Sequence, residues 1–213
     1  MEAKIGKSYL TKIPHEGGEL SFQYPAFGGD TYENVAKAID KEGLLRPTSA
    51  QTASLVYDAF QNKKRKEESE IINILNKNWF WEFTGNLYLP KSNEEINNGV
   101  ILYDTPTGDL NPGKENLFEK LQNNDSSVRF VPFGDNFEER YLIGRYGEGE
   151  ADKITEIASE YKKPLKVWSF DSVDKEKTRK SALLRFWGLD GGLGCLWRLG
   201  RRRRWLCFWG MHR

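Results

Sequence analysis

Cysteine is missing from the first 180 residues; the two in the chain, Cys195 and Cys207, both fall in its last stretch. The body therefore has no internal disulfide framework and offers no thiolate to a metal. Histidine is nearly as scarce. His15 is the only one before His212, so a histidine triad or a histidine-rich metal centre lacks its parts. It lies between Pro14 and Glu16, where an exposed structural role is expected. No apolar run approaches the ~18 residues that would span a bilayer. The opening MEAKIGKSYLTKIPHEGG has charges but no apolar segment or small-residue cleavage site, so no secretory signal is expected and a cytoplasmic location is. There is no glycine-rich phosphate loop, no nucleophile elbow and no paired metal-ligand spacing. The sequence thus predicts no catalytic, cofactor-binding or metal-ligating residue, and no cofactor.

What is present divides sharply in two. From Ser181 onward there are seven arginines, no lysine and a single acid, Asp190, with four of the seven tryptophans (Trp187, Trp197, Trp205, Trp209). The whole chain holds 32 basic and 31 acidic residues, so residues 1–180 carry 25 against 30, a net of −5. The formal charge of +1 averages an acidic body and a basic end. An acidic body has no electrostatic reason to seek nucleic acid or anionic lipid.

Along the body, residues 9–13 and 19–24 alternate around Pro14, Gly17 and Gly18 and predict strand, turn and strand. Asp30 or Thr31 caps a predicted helix through Val35, Ala38 and Ile39 that stops at Gly43. Thr48 or Ser49 caps a second, with Ala53, Val56, Tyr57 and Phe60 on its apolar face. The mixed-charge run QNKKRKEESE (61–70) predicts a solvated helix surface or exposed connection leading to Ile71, Ile72 and Leu75; its KKRK is offset by the acids that follow. NWFWEFTGNLYLP (78–90) predicts a β-hairpin with an aromatic face, turning at Thr84, Gly85 and Asn86. Further strands are expected at 100–103, 128–133 and 165–170, and helices at 115–122, 152–161 and 174–184. Short strands mixed with helices of uneven length indicate an α+β class.

Carboxylates supply the remaining chemistry: Glu82, Asp104, Asp109, Asp171 and Asp174. A converging pair could do acid–base work, and an enzyme, a hydrolase using Glu82 or Asp171, ranks third among the readings. Around Pro106, Thr107 and Gly108 the residue types are also those of turns. Trp79, Trp81 and Trp168 could stack a sugar or a base, but aromatics at strand spacing mostly face a core. At the basic end, Arg201, Arg202, Arg203, Arg204, Trp205 and Trp209 combine cations with stacking surfaces, which suits nucleic acid or an anionic membrane.

A second account of that end is translation out of frame. Tryptophan has one codon, TGG, so a one-base forward shift turns each of the four into glycine. The Met211–His212 junction becomes cysteine, and RRRRWLCFWGM is compatible with DDDDGYAFGVC. Such an ending would agree with the acidic body, and a sequence normally agrees with its own fold.

LLRPTSAQTASLV (44–56) resembles the arginine–proline–threonine turn and helix of formylglycine-generating-enzyme-like domains, a branch of the C-type-lectin-like fold. KVWSFDSV (166–173) followed by SAL (181–183) resembles that branch's late core segment. Together with NWFWEFTGNLYLP and VRFVPFG (128–134), these segments resemble an uncharacterised archaeal protein family over residues 9–183. Members with the shifted ending resemble variable proteins of diversity-generating retroelements, which display mutable residues on a fixed scaffold. The resemblance implies one C-type-lectin-like domain over 1–183, with short antiparallel strands and flanking helices, and an anomalous tail over 184–213. It implies a non-enzymatic binding protein for a protein or carbohydrate ligand, with recognition after Leu183. The cysteine-dependent formylglycine-generating chemistry is disfavoured, since the body supplies no cysteine.

Overall fold

A computed structural model describes residues 8–161, 166–167, 169–185, 193–196 and 206–207. The first pair of strands, β1 (Ser8–His15) and β2 (Gly18–Tyr24), forms the expected antiparallel hairpin. Its turn takes Gly17 to φ 77°, a backbone that glycine adopts freely. A register shift between Leu10 and Ile13, with Lys12 at φ 64°, marks a bulge. Past the bulge Ile13 is buried together with Phe22 against α2 (Ser49–Gln61).

The helices begin where the residue chemistry says they should. Thr31 caps α1 (Tyr32–Lys41) by accepting from the Asn34 amide at 3.3 Å, and Gly43 follows the helix at φ 69°. Thr48 and Gln51 exchange side-chain to backbone bonds of 3.3 and 2.9 Å across the start of α2, a capping box. Helix α2 ends at the charged run, and α3 (Lys66–Lys77) starts inside it, burying Ile71 and Leu75.

Among the described residues the main sheet has seven strands: β3 (Trp79–Leu89), β4 (Gly99–Asp104), β5 (Val128–Pro132), β6 (Lys166–Val167), β7 (Lys177–Arg185), β8 (Leu193–Leu196) and β9 (Leu206–Cys207). Its order is β5-β4-β3-β7-β8-β6, with β9 beside the start of β3. Pairing is antiparallel except for β6 with β8 and β3 with β9. Three further helices, α4 (Lys114–Gln122), α5 (Phe137–Tyr146) and α6 (Glu148–Glu160), join α1 to α3 around it. The fold is α+β, as expected from the uneven mixture of elements. Phe80 and Leu183 join α2, α3 and α6 in one core, while Trp79, Trp81 and Phe83 lie with α1 in another.

Two expectations are corrected. The aromatic segment is no hairpin but one continuous strand, β3, running straight through Thr84, Gly85 and Asn86. Those residues are all buried, and their polar groups are satisfied by neighbouring elements instead of their own backbone. Thr84 Oγ1 accepts from the Ser49 amide at 2.9 Å and donates to Asp104 at 2.6 Å. Asn86 bonds Arg179, Ser181 and Tyr141. Gly85 faces Tyr103 across the pair, and a Cβ there would lie 2.3 Å from that ring. A strand glycine of this kind marks close approach, not a turn. The irregularity appears instead as a register shift against β7 between Glu82 and Asn86.

The second correction concerns 174–184, expected as a helix. It is mostly β7, hydrogen-bonded to β3 on one side and β8 on the other. Ser181, Ala182 and Leu183 are fully enclosed there, and tertiary pairing has overridden local preference. Helix α5 was not expected at all: Tyr141, Arg145 and Tyr146 are buried alongside Phe137, so its polar residues are inside and its periodicity is blurred.

Candidate functional site

The residues of the arginine–proline–threonine segment act as a clamp. Arg46, 2% exposed, donates from Nε and Nη2 to the two oxygens of Asp40 at 2.8 and 3.0 Å. Two further donors reach the carbonyls of Thr105 and Gly108 at 3.0 and 2.8 Å. The Phe83 amide donates to Pro47 O at 2.9 Å, and the Arg46 amide to Pro106 O at 3.0 Å. One planar guanidinium thus locks α1 to the 105–108 loop, which a lysine could not do, and the two backbone bonds tie the same segment to β3 and to Pro106. Four of its five N–H donors are directed at the protein's own backbone or at Asp40, which makes the motif structural.

The candidate carboxylates differ in their surroundings. Glu82 is fully buried and paired with Arg145, and Tyr146 Oη donates to its other oxygen at 2.9 Å. Arg145 Nη1 also reaches Tyr141 Oη at 3.0 Å and Ser181 Oγ at 2.5 Å. This buried network joins β3, α5 and β7. Its carboxylate is consumed by internal partners, so a hydrolase using Glu82 has no support in the geometry. Asp104 is held by Arg129 and Thr84, each at 2.6 Å. Asp109 accepts from the Asn111 amide at 2.9 Å beside Gly108 at φ 72°, the turn chemistry expected there. Asp171 and Asp174 are exposed and distant in kind from any such network.

His15 departs from its expected exposed role. Its side chain is only 10% exposed, and Nδ1 lies 3.0 Å from Ser54 Oγ and 3.5 Å from Glu150. Ser54 in turn donates to Glu150, which Lys153 also contacts at 3.0 Å. Ser54 and Glu150 meet the same imidazole nitrogen, and the only carboxylate near Nε2 among the described residues is exposed Glu16 at 3.8 Å, beyond hydrogen-bond reach, so the cluster lacks the geometry of a relay. It ties the hairpin to α2 and α6 because the β1 bulge turns this end of the strand inward.

Trp79 and Trp81 are half-buried, with Trp81 edge-on to Tyr32 at 5.5 Å. Trp168, Trp205, Trp209 and Arg201, Arg202, Arg203 and Arg204 lie outside the described residues. What is described of the C-terminal stretch is its attachment. β7 runs past Leu183 to Arg185, β8 pairs with it antiparallel, and β9 pairs with β3 through Trp79 and Phe80.

A cleft of about 650 Å³ opens between β1 and the corner of α2 and α3, with Asp58 and Glu68 among its lining residues. Neither residue carried any motif, since Asp58 is the lone charge of α2 and Glu68 is one of several acids in α3, and only folding brings them together. Among the described residues there is no cluster of three or more potential metal ligands, and no helix is long and apolar enough to cross a membrane. Comparison of the chain with protein-family models, with curated proteins and with solved structures finds no match.

Proposed function

We propose that this chain is a non-enzymatic binding protein, a C-type-lectin-like scaffold that presents its recognition surface in the segment after Leu183 to a protein or carbohydrate ligand. The observation that carries the reading is how that segment is attached. β7 is an interior strand of the sheet, β8 pairs along it, and β9 lies against β3. The described strands on this stretch, β7, β8 and β9, thus all belong to one sheet. The sheet itself is fixed by the Arg46 clamp and the Glu82–Arg145 network. Recognition segments bind best from rigid supports, because less freedom is lost on association.

The test replaces residues 197–205 by a glycine–serine segment of equal length and compares it with the full chain on a glycan array and a displayed-peptide library. Binding that disappears with an unchanged thermal midpoint supports the reading; binding that survives the replacement overturns it. Binding instead to duplex DNA or anionic vesicles, falling steeply with salt, would assign the segment to phosphate recognition through Arg201, Arg202, Arg203, Arg204, Trp205 and Trp209.

A further inference from the structure

The cleft between the hairpin and the helices has apolar walls from Tyr9 and Ile13 on one side and Leu55 and Ile71 on the other. Three carboxylates line it, Asp58 late on α2 and Glu67 and Glu68 in the first turn of α3, beside the cations Lys12 and Arg65. Glu68 is 8% exposed, and its Oε2 is buried with no hydrogen-bond partner among the described residues. Its other oxygen meets Arg65 Nη1 only at 3.5 Å, and the Arg65 side chain is 70% exposed, a loose surface partner. Asp58 is held by a 3.3 Å bond from Asn62. Burial, and then the charge of Glu68, push its carboxyl above the ordinary value, against the pull of Arg65 and Asn62.

A buried carboxylate oxygen without a donor costs stability, and natural proteins rarely leave one unless something else fills the role. A cation with N–H donors would supply the missing partner. A divalent metal is a poor fit, because it needs about six oxygen ligands and no cluster of three or more protein ligands occurs among the described residues. An ammonium needs only two or three acceptors. The aliphatic and aromatic walls suit a methylene chain behind it, and the volume of about 650 Å³ falls within the range of small-ligand pockets.

We propose that this cleft is a binding site for a primary alkylammonium, with Asp58 and Glu68 as its acceptors and Arg65 as a competing cation at the mouth. The chemistry is common to free diamines and to lysine side chains. The site lies on the hairpin and α2–α3, so it stands or falls independently of the C-terminal segment.

The full chain is titrated at low salt with cadaverine and, separately, with Nα-acetyl-lysine methylamide, following amide shifts of the cleft residues. Binding of cadaverine alone assigns a free diamine, and binding of both assigns peptidyl lysine as well. Asp58→Asn and Glu68→Gln should each weaken binding tenfold or more, since each removes a charge-assisted bond. Arg65→Gln, at an exposed position, should tighten it severalfold by removing the competitor, so the test does not depend on variants that weaken the fold. No shift at the cleft with either amine, equal binding of neutral 1-pentanol, or affinities unchanged in all three variants would overturn the proposal.

Discussion

Arg145 and Glu82 meet where water does not reach, 2% and 0% exposed, and each supplies the charge that makes the other tolerable. Removing one partner strands the other in a low-dielectric interior. Glu82→Gln should therefore cost about 3–5 kcal/mol, read as a lower urea midpoint at unchanged slope. Replacing both by apolar residues of similar volume should recover much of that loss. Two other carboxylates titrate with opposite sign. Asp58 sits above its ordinary 3.8, chiefly through burial, so the folded chain holds this proton more tightly than the unfolded one. Its contribution declines as pH rises through the interval above 3.8, and Asp58→Asn should be more stable than the parent at neutral pH. Glu150 is pushed up by burial, but the hydrogen bond and charge of Lys153, with His15 and Ser54, bring it below its ordinary 4.5. Its contribution is present above 4.5 and is lost as pH falls below it; Glu150→Gln should flatten that acid limb of the stability curve. An Asp58→Asn curve parallel to the parent's across this range would contradict the first assignment.

At the scale of elements, local chemistry and tertiary contact share control. Thr48 satisfies an amide that helix α2 cannot satisfy by itself, and Thr48→Ala should cost about 1 kcal/mol in thermal or urea unfolding. Its role was legible because capping is a short-range affair of residues i and i+3. Gly85 was misread for the opposite reason. Next to Thr84 and Asn86 it looks like a turn, yet the constraint comes from Tyr103 on another strand. Gly85→Ala should destabilise by about 1–3 kcal/mol, and Tyr103→Leu in the same chain should relieve most of the penalty. Equal penalties with and without the Tyr103 ring would refute this account. The same logic covers β7, whose identity as a strand depends on β3 and β8 on either side.

For the whole molecule, the contrast between an acidic body and a basic end is the largest asymmetry in the sequence. A chain stopped after Arg185 loses β8 and β9, and leaves an edge of β7 and the start of β3 without their partners. Such edges pair with other chains. The truncated protein should show a lower thermal midpoint and self-association by sedimentation; a monomer with the parent's midpoint would mean that the two strands contribute nothing. Sequencing independent gene copies across codons 180–213 tests the reading frame directly. The frameshift account expects the shifted glycines at positions 187, 197, 205 and 209 in related copies.

The sequence by itself determined the α+β class, the hairpin at the start, the caps of α1 and α2 and the turn at Asp109, because each depends on residues within a few positions of one another. Tertiary structure alone decided that the 78–90 segment is one strand, that Arg46 is a clamp and that Glu82 is a buried ion. It also decided that Asp58 and Glu68, in two separate helices, line one cleft. The physical reason is common to all four. Burial and unmet hydrogen bonds are properties of what surrounds a side chain, and those surroundings are assembled from residues far apart along the chain.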